Sequence, residues 1–199
     1  MEHMVIAVGR RYGSGGHEIG ERLAKRLGIP FYDRELVEMA SKKSGIAQGV
    51  LEIHNERAVQ ATLLKTKSGA GGQLIGELLF QLQSQIIREL AEESSCVIIG
   101  RCANYVLRDR ADLFSVFVTA PEEKRVQRIM ERNRMCEEDA RYAVKKVDRQ
   151  RREYYDHYTE GRWGEMEGYD LMVDSSILGI DGTAELLEEK ARAFAACLV

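Results

Sequence analysis

The sequence predicts an α/β fold in which helices cover both faces of a parallel sheet. Apolar segments of four to six residues alternate with amphipathic segments along the chain, and strands that are joined through helices form parallel sheets. The first apolar segment, Met4–Val8, runs directly into a glycine-rich turn and then into an amphipathic helix. We therefore expect the ligand-binding groups at the carboxyl ends of the strands, where open α/β sheets bind their ligands.

The predicted elements follow one another without a low-complexity linker or an internal repeat. Apolar runs predict strands at 4–8, 29–32, 96–99, 113–118 and 169–173. Helical spacing of apolar residues predicts helices at 17–27, 34–44, 51–67, 74–90, 121–132, 137–158 and 181–195. We expect Gly28 to end the first helix and Asp33 to cap the second. The three glycines within residues 68–72 predict a flexible break.

The composition is typical of a soluble globular protein, and we expect residues 1–199 to form a single domain. Hydrophobic residues make up 44% of the chain, and the net charge of −3 offers no overall basic field for nucleic acid. No apolar run approaches the roughly 20 residues that span a bilayer, and the early first strand leaves no room for a signal peptide. The four cysteines lack metal-ligand spacing. We interpret them as reduced thiols of a cytoplasmic protein without a metal cluster.

The segment 9–20 carries the strongest functional signal of the chain. A glycine-rich turn between a strand and a helix lets backbone N–H groups converge on a phosphate, and the helix adds its positive N-terminal end. We therefore predict a phosphate cradle at Gly13, Ser14, Gly15 and Gly16; the alternative is a tight turn with nothing bound. Where the standard P-loop, G-x-x-x-x-G-K-[ST], has its lysine, this chain has Gly16.

Further motifs are spread over nearly the whole chain. They are RRYGSGGHEIG at 10–20, PFYD at 30–33, IIGRCA at 98–103, DRQRREYY at 148–155, WG at 163–164 and YDLMVDSS at 169–176. In this order they resemble the cytidylate kinase-like family, a branch of the P-loop nucleoside monophosphate kinases. The resemblance implies a three-layer P-loop kinase fold with a parallel sheet of about five strands. It also implies an inserted helical acceptor lobe near residues 33–93 and a lid near residues 148–163.

Relatives with cytidylate kinase activity carry lysine, glycine and threonine at the positions that match Gly16, His17 and Glu18. Arg10 and Arg11 are candidates to supply the missing charge, since a guanidinium holds phosphate oxygens bidentately; alternatively, both are solvated surface arginines. A bound phosphate would favour protonated His17, and Glu18 could orient Mg²⁺ through water. The alternatives are an exposed first-turn histidine and an acidic residue that favours a helix N-terminus.

The resemblance places the acceptor nucleotide near Asp33 and Arg101. Arg101 follows a buried strand and would bind the α-phosphate of the acceptor, whereas Asp33 is equally well explained as a helix cap. In cytidylate kinases an aspartate usually follows this arginine and helps to recognise the base. Here the next residue is Cys102, a weak hydrogen-bond acceptor, which leaves acceptors other than CMP open.

Asp148, Arg151 and Arg152 resemble the lid of these kinases. Lid arginines close over the transferring phosphate, neutralise its charge and exclude water; the alternative is a solvated, charged helix face. Three tyrosines and a tryptophan follow within residues 154–163. We interpret them as packing that holds the lid against the core, with stacking on a base as the alternative.

Two helical stripes complete the candidate features. Arg125, Arg128 and Arg132 share one helix face, which we interpret as solvated, with a position at the border of the phosphate cleft as the alternative. The apolar stripe within residues 74–90 is interpreted as core or as a subunit interface. The sequence therefore leaves open whether the protein forms a homo-oligomer.

The resemblance implies Mg²⁺-assisted transfer of a phosphoryl group from ATP to CMP, dCMP or a related small acceptor. The expected partners are ATP and a nucleoside monophosphate or a similar phosphorylated molecule. The absent lysine and threonine favour one alternative, a non-catalytic nucleotide-binding or phosphate-binding regulatory module. Cys102 leaves open a second alternative, a kinase of another small metabolite.

Overall fold

The computed structural model describes residues 3–49 and 70–198. The predicted helix at 51–67 lies outside the described residues. Residues 70–72 are helical, in a helix described over Ala70–Glu93, so the predicted flexible break is wrong for these residues.

A parallel sheet forms the centre of the fold. Its five strands are β1 Val5–Arg10, β2 Phe31–Tyr32, β3 Cys96–Ile99, β4 Leu113–Thr119 and β5 Leu171–Asp174. Their order across the sheet is β2-β3-β1-β4-β5, and every pair is parallel. The predicted parallel sheet of about five strands is confirmed. Because all strands run in one direction, their carboxyl ends lie at one edge of the sheet.

Helices connect the strands. They are α1 Gly16–Leu27, α2 Glu35–Ser44, α3 Ala70–Glu93, the short α4 Ala103–Val106, α5 Glu122–Asn133, α6 Glu137–Tyr158 and α7 Ser175–Ala196, with a 3₁₀ turn at Met166–Gly168. Along residues 3–49 and 70–198, none of these helices combines the length and apolar character that crossing a membrane requires.

Contacts at the starts of two helices differ from the predictions. The predicted helix at 181–195 is present, but one helical turn precedes it from Ser175, capped by Asp174, which accepts a hydrogen bond from the Ser176 N–H at 2.8 Å. Gly179, with φ 67°, separates this turn from the rest of the helix, so the apolar spacing did not reveal the turn. Asp33 does not cap α2: Arg34 occupies the cap position, and the Asp33 carboxylate binds His17 instead.

The core has two layers, one on each face of the sheet. Alternate β1 side chains point to opposite faces, so Val5 and Ala7 belong to one cluster and Ile6 and Val8 to the other. Helices α2 and α3 pack on the first face, and helices α1 and α7 pack on the second. The sheet is therefore covered on both sides, as its uniformly apolar strands require.

A third, aromatic cluster holds the end of α6 and the following segment against the sheet. Tyr154, Tyr155 and Trp163 are buried around Phe117 of β4, whose ring centroid lies 5.4 Å from that of Trp163 and 4.9 Å from that of Tyr169. Tyr158, half-buried, stacks on Phe80 of α3. The interpretation of residues 154–163 as packing agrees with this burial.

Phe117 lies at the centre of the aromatic cluster and is fully buried. We expect Phe117→Ala to lower the free energy of unfolding by about 3–5 kcal/mol, because it leaves a cavity beneath two aromatic rings. Urea denaturation measures this loss. Leu178→Ala serves as the control, since Leu178 is 49% exposed and should change stability little. Equal effects of the two substitutions would contradict the central position of Phe117.

Candidate phosphate-binding cleft

An arginine-rich cleft of about 620 Å³ opens at the carboxyl edge of the sheet. Its lining residues are Arg10, Arg11, Tyr12, Gly13, Gly15, Gly16, His17, Glu18, Asp33, Arg34, Val37, Arg101, Arg132 and Arg151. Six of these are arginines, and only two are carboxylates. The cleft therefore favours a ligand with several negative charges.

The glycine-rich loop forms one wall of this cleft. Gly13 and Gly15 adopt φ of 83° and 79°, which glycine reaches without strain. A Cβ at residue 13 would lie 2.7 Å from the Arg125 carbonyl oxygen, and one at residue 15 would collide with Ile180. The Ser14 hydroxyl donates to the carbonyls of Arg11 and Val118 at 2.8 and 3.1 Å. Ser14 therefore braces the loop with its side chain, and the neighbouring glycines face the cleft.

Arg10 lies beside Gly16, the residue at the position of the P-loop lysine. A Cβ at residue 16 would lie 2.5 Å from the Arg10 Cβ, closer than such atoms approach in proteins. The Arg10 guanidinium extends to the end of β3, where it occupies the space of a side chain at Gly100. A lysine at residue 16 has no room beside this arginine, and the cationic group next to the loop is Arg10.

His17 and Asp33 join the loop to the start of α2. The Nδ1 of His17 donates to Asp33 Oδ2 at 2.8 Å, and the carboxylate is largely buried while the imidazole is half exposed. This hydrogen bond raises the pKa of His17 above its ordinary 6.5, although burial opposes it. Burial acts to raise the pKa of Asp33, but His17, Arg10 and Arg101 outweigh it and hold that pKa below 3.8. The pair therefore favours imidazolium and carboxylate.

Glu18 is the second carboxylate of the cleft, and it pairs with Arg128 at 2.6 Å. Where Mg²⁺ accompanies phosphates, one or two carboxylates commonly suffice to hold it. The described residues contain no cluster of three or more acidic, histidine or cysteine side chains that could bind a metal by themselves. Glu18 and Asp33 are thus the cleft carboxylates available to a metal that arrives with a phosphate ligand.

Arg101 projects from a strained turn after β3. Gly100, Arg101 and Cys102 all have left-handed backbones, with φ of 68°, 55° and 54°, an arrangement that non-glycine residues rarely adopt. Arg101 is only 8% exposed, and its Nε and Nη1 meet no hydrogen-bond partner within the described part of the chain. An anion in the cleft would satisfy these donors.

Cys102 lines a recess of about 30 Å³ behind the cleft, together with Asn104 and Tyr155. Burial raises the pKa of its thiol to about 12, so the sulfur stays protonated and unreactive. Cys102 does not line the larger cleft.

A buried ion pair fixes the loop to helices α5 and α6. Arg125 Nη1 donates to Asp148 Oδ2 at 2.7 Å, and Arg125 is only 5% exposed. The interpretation of Arg125 as solvated is wrong. Its position four residues before buried Ile129 was the available signal, since residues four apart share a helix face.

Helix α6 brings only one of its two predicted arginines into the cleft. Arg151 lines the cleft and donates to the Arg10 carbonyl at 3.1 Å. Arg152 is exposed and lies outside the lining, because adjacent helical residues point about 100° apart. Arg11, from the loop, lines the cleft and lies 5.5 Å from the Trp163 ring centroid.

The model of the cytidylate kinase-like family matches residues 5–177, and the chain belongs to this family. Among solved structures, an uncharacterized protein from Eubacterium ventriosum is 27% identical, with a TM-score of 0.72 and coverage of 95% of this chain and 98% of that one. A search of curated proteins found no match.

Two more distant structures show the fold. Shikimate kinase from Bacteroides thetaiotaomicron has a TM-score of 0.56 at 14% identity, covering 95% of this chain and 98% of that one. Deoxyadenosine kinase from M. mycoides has a TM-score of 0.52 at 12% identity, covering 96% and 100%. The predicted P-loop kinase fold is confirmed.

The contact between Gly16 and Arg10 predicts that restoring a P-loop lysine destabilises this chain. We expect Gly16→Lys to lower the free energy of unfolding by about 1–3 kcal/mol, because the new Cβ overlaps that of Arg10. Urea denaturation measures the change. The matched control is Gly49→Lys, since a Cβ at residue 49 meets no atom of the described residues within 4 Å. A Gly16→Lys protein as stable as the wild type would refute the overlap.

The His17–Asp33 pair predicts a pH-dependent contribution to stability. Because the folded-state pKa of His17 is raised, its contribution is complete below pH 6.5 and is lost as the pH rises through the folded-state value. Because the folded-state pKa of Asp33 is lowered, the contribution of Asp33 to stability is complete above pH 3.8 and is lost as the pH falls through the folded-state pKa. Melting temperatures of the wild type and His17→Gln should therefore converge above neutral pH. When Asp33→Asn is present in both proteins, the effect of His17→Gln on the melting temperature should not vary with pH. If the effect of His17→Gln were independent of pH with Asp33 in place, the pairing would be contradicted.

Proposed function

We propose that this protein transfers the γ-phosphoryl group of ATP to a small acceptor, with CMP or dCMP as the first candidates and with Mg²⁺. The observation that supports this proposal best is the convergence of six arginines on one cleft beside a glycine-rich loop. Phosphoryl transfer depends mainly on positioning and on charge neutralisation, and arginines provide both. Family membership supports the same reaction class.

We divide the cleft into a donor side and an acceptor side. We assign the ATP phosphates to the Gly13–Gly16 loop with Arg10, Arg11 and His17, because these groups surround the N-terminus of α1. We assign the acceptor to Asp33 and Arg101, which follow β2 and β3. Asp33 adjoins the donor side through its hydrogen bond with His17. In this assignment, residues 33–93 act as the acceptor lobe and residues 148–163 as the lid.

In the proposed step the bond between the γ-phosphorus and the bridging oxygen of ATP breaks, and a bond to an acceptor oxygen forms. Arg10 and Arg151 neutralise charge on the transferring group, in place of the absent lysine. The Arg151 guanidinium is oriented by its hydrogen bond to the Arg10 backbone carbonyl. When bound with ATP, Mg²⁺ supplies further charge neutralisation, and Glu18 and Asp33 are the cleft carboxylates that would hold it. A phosphate acceptor needs no base.

The His17–Asp33 pair favours a second acceptor class, a small anionic alcohol. A carboxylate facing the acceptor repels a phosphate but accepts a hydrogen bond from a hydroxyl group. Asp33 is buried in the cleft wall and has no capping role. The acceptor panel must therefore contain alcohols as well as nucleoside monophosphates.

A different observation favours the non-catalytic alternative, a phosphate-binding regulatory module. The Ser14 hydroxyl is used by two backbone carbonyls, and the Tyr12 hydroxyl, which the loop brings to the cleft, is bonded to Arg132. Glu18, at the position of the Mg²⁺-binding threonine, is paired with Arg128. Binding without turnover would fit these two features.

The deciding experiment incubates the purified protein with ATP, Mg²⁺ and a panel of nucleoside monophosphates and small anionic alcohols, and measures ADP formation. We expect acceptor-dependent turnover that Arg151→Ala lowers by about 100-fold, since it removes charge neutralisation at the transferring group. Arg101→Ala should raise the KM for the acceptor, because Arg101 holds the acceptor anion. Product analysis by phosphorus NMR distinguishes a diphosphate from a phosphate monoester.

Arg149→Ala is the matched control for these variants. Arg149 lies on the same helix as Arg151, is mostly exposed and does not line the cleft, so its removal should leave turnover unchanged. ATP that raises the melting temperature without turnover would support the binding module instead. If the protein showed no turnover and ATP did not shift its melting temperature, both proposed functions would be refuted.

A further inference from the structure

Tyr12 is a loop residue whose polar groups all have partners on helices α5 and α6. Its N–H donates to Asp148 Oδ1 at 2.7 Å, and its carbonyl accepts from Arg125 Nη1 at 3.0 Å. Its hydroxyl accepts from Arg132 Nη2 at 3.1 Å. Because Asp148 and Arg125 form a buried pair, the backbone at Tyr12 is held rigidly and the direction of its ring is restricted.

Two cleft arginines lie against the Tyr12 ring. The guanidinium carbons of Arg132 and Arg151 are 5.5 and 5.7 Å from the ring centroid, within the range of cation–π attraction. Arg132 comes from the end of α5 and Arg151 from α6. Tyr12 therefore brings arginines from two helices to the mouth of the glycine-rich loop.

Arg132 is the more informative of the two arginines. It lines the cleft, yet within the described residues no carboxylate lies at ion-pair distance from it; its other polar contact is the Asn133 side-chain oxygen at 3.2 Å. An exposed arginine without a fixed partner samples many rotamers, and ordering it on binding costs entropy. The Tyr12 hydroxyl restricts that freedom while leaving most of the guanidinium donors available.

We propose that Arg132 binds a phosphate of the donor nucleotide and that Tyr12 is the residue that positions it. This inference rests on the proposed function and adds two residues to its donor side. A guanidinium whose charge is not matched by a carboxylate has a strong preference for phosphate oxygens. Arg132 lines the same cleft as Gly13 and Gly15, so the expected ligand atoms are phosphate oxygens rather than a nucleobase.

The test is a double-variant cycle on binding, measured by calorimetry with two probes, MgATP and inorganic tripolyphosphate. Arg132→Ala should lower the affinity for both probes by about tenfold, the typical effect of losing one charge-assisted hydrogen bond. Tyr12→Phe, which keeps the ring and loses only the hydroxyl, should weaken both by about threefold. The variant that combines both changes should bind no more weakly than Arg132→Ala, because Tyr12 acts through Arg132.

Arg149→Ala is again the matched control and should bind both probes as the wild type does. If the role of Tyr12 were purely structural, Tyr12→Phe would lower the affinity in the Arg132→Ala background as well. An affinity of the combined variant below that of Arg132→Ala would therefore overturn the positioning role. An Arg132→Ala protein that binds like Arg149→Ala, or one that loses MgATP but not tripolyphosphate, would overturn the phosphate contact. If the variants bind the probes as expected but the protein transfers no phosphoryl group, only the proposed kinase activity is refuted. A wild-type protein that binds neither probe would refute both proposals.

Discussion

The buried ion pair between Arg125 and Asp148 is the interaction on which the cleft depends. One partner comes from α5 and the other from α6, and both hold the main chain at Tyr12. Removing one partner of a buried pair typically costs about 3–5 kcal/mol, because the other charge stays buried and uncompensated. Arg125 also donates to the carbonyl of Ala120, the residue after β4, at 2.9 Å, so the end of β4, two helices and the glycine-rich loop are joined through this pair.

The cleft obtains its positive charge from several arginines rather than from one lysine. Arg10 lies so close to Gly16 that a side chain at residue 16 would overlap it. Arg101, after β3, and Arg151, on α6, line the same cleft. A lysine is a compact, flexible point charge, whereas each guanidinium presents a planar set of donors whose direction matters. Fixed contacts such as that between Arg151 and the Arg10 carbonyl are therefore part of the binding site.

Features that depend on local sequence were predictable, and those that depend on distant partners were not. The strand 96–99 and the helix 137–158 were predicted with their observed bounds, because apolar runs and helical spacing are local signals. Asp33 has the residue type of a cap, but His17, 16 positions away, competes for its carboxylate. Arg125 resembles its solvated neighbours on α5 until Asp148, 23 positions away, is brought beside it. The sequence located the glycine-rich loop, but only the fold shows how Arg10, Tyr12 and Arg132 surround it.

The lining of the cleft restricts the chemistry of any future inhibitor. Among the described lining residues, Tyr12 and Val37 carry the large apolar side chains, and the others are arginine, histidine, carboxylate or glycine residues. A neutral aromatic compound would bury little matching surface there and would leave the guanidinium groups desolvated without a partner. Tight inhibitors of this site will need several negative charges, a property that slows passage through lipid bilayers and makes masked acids the practical starting point.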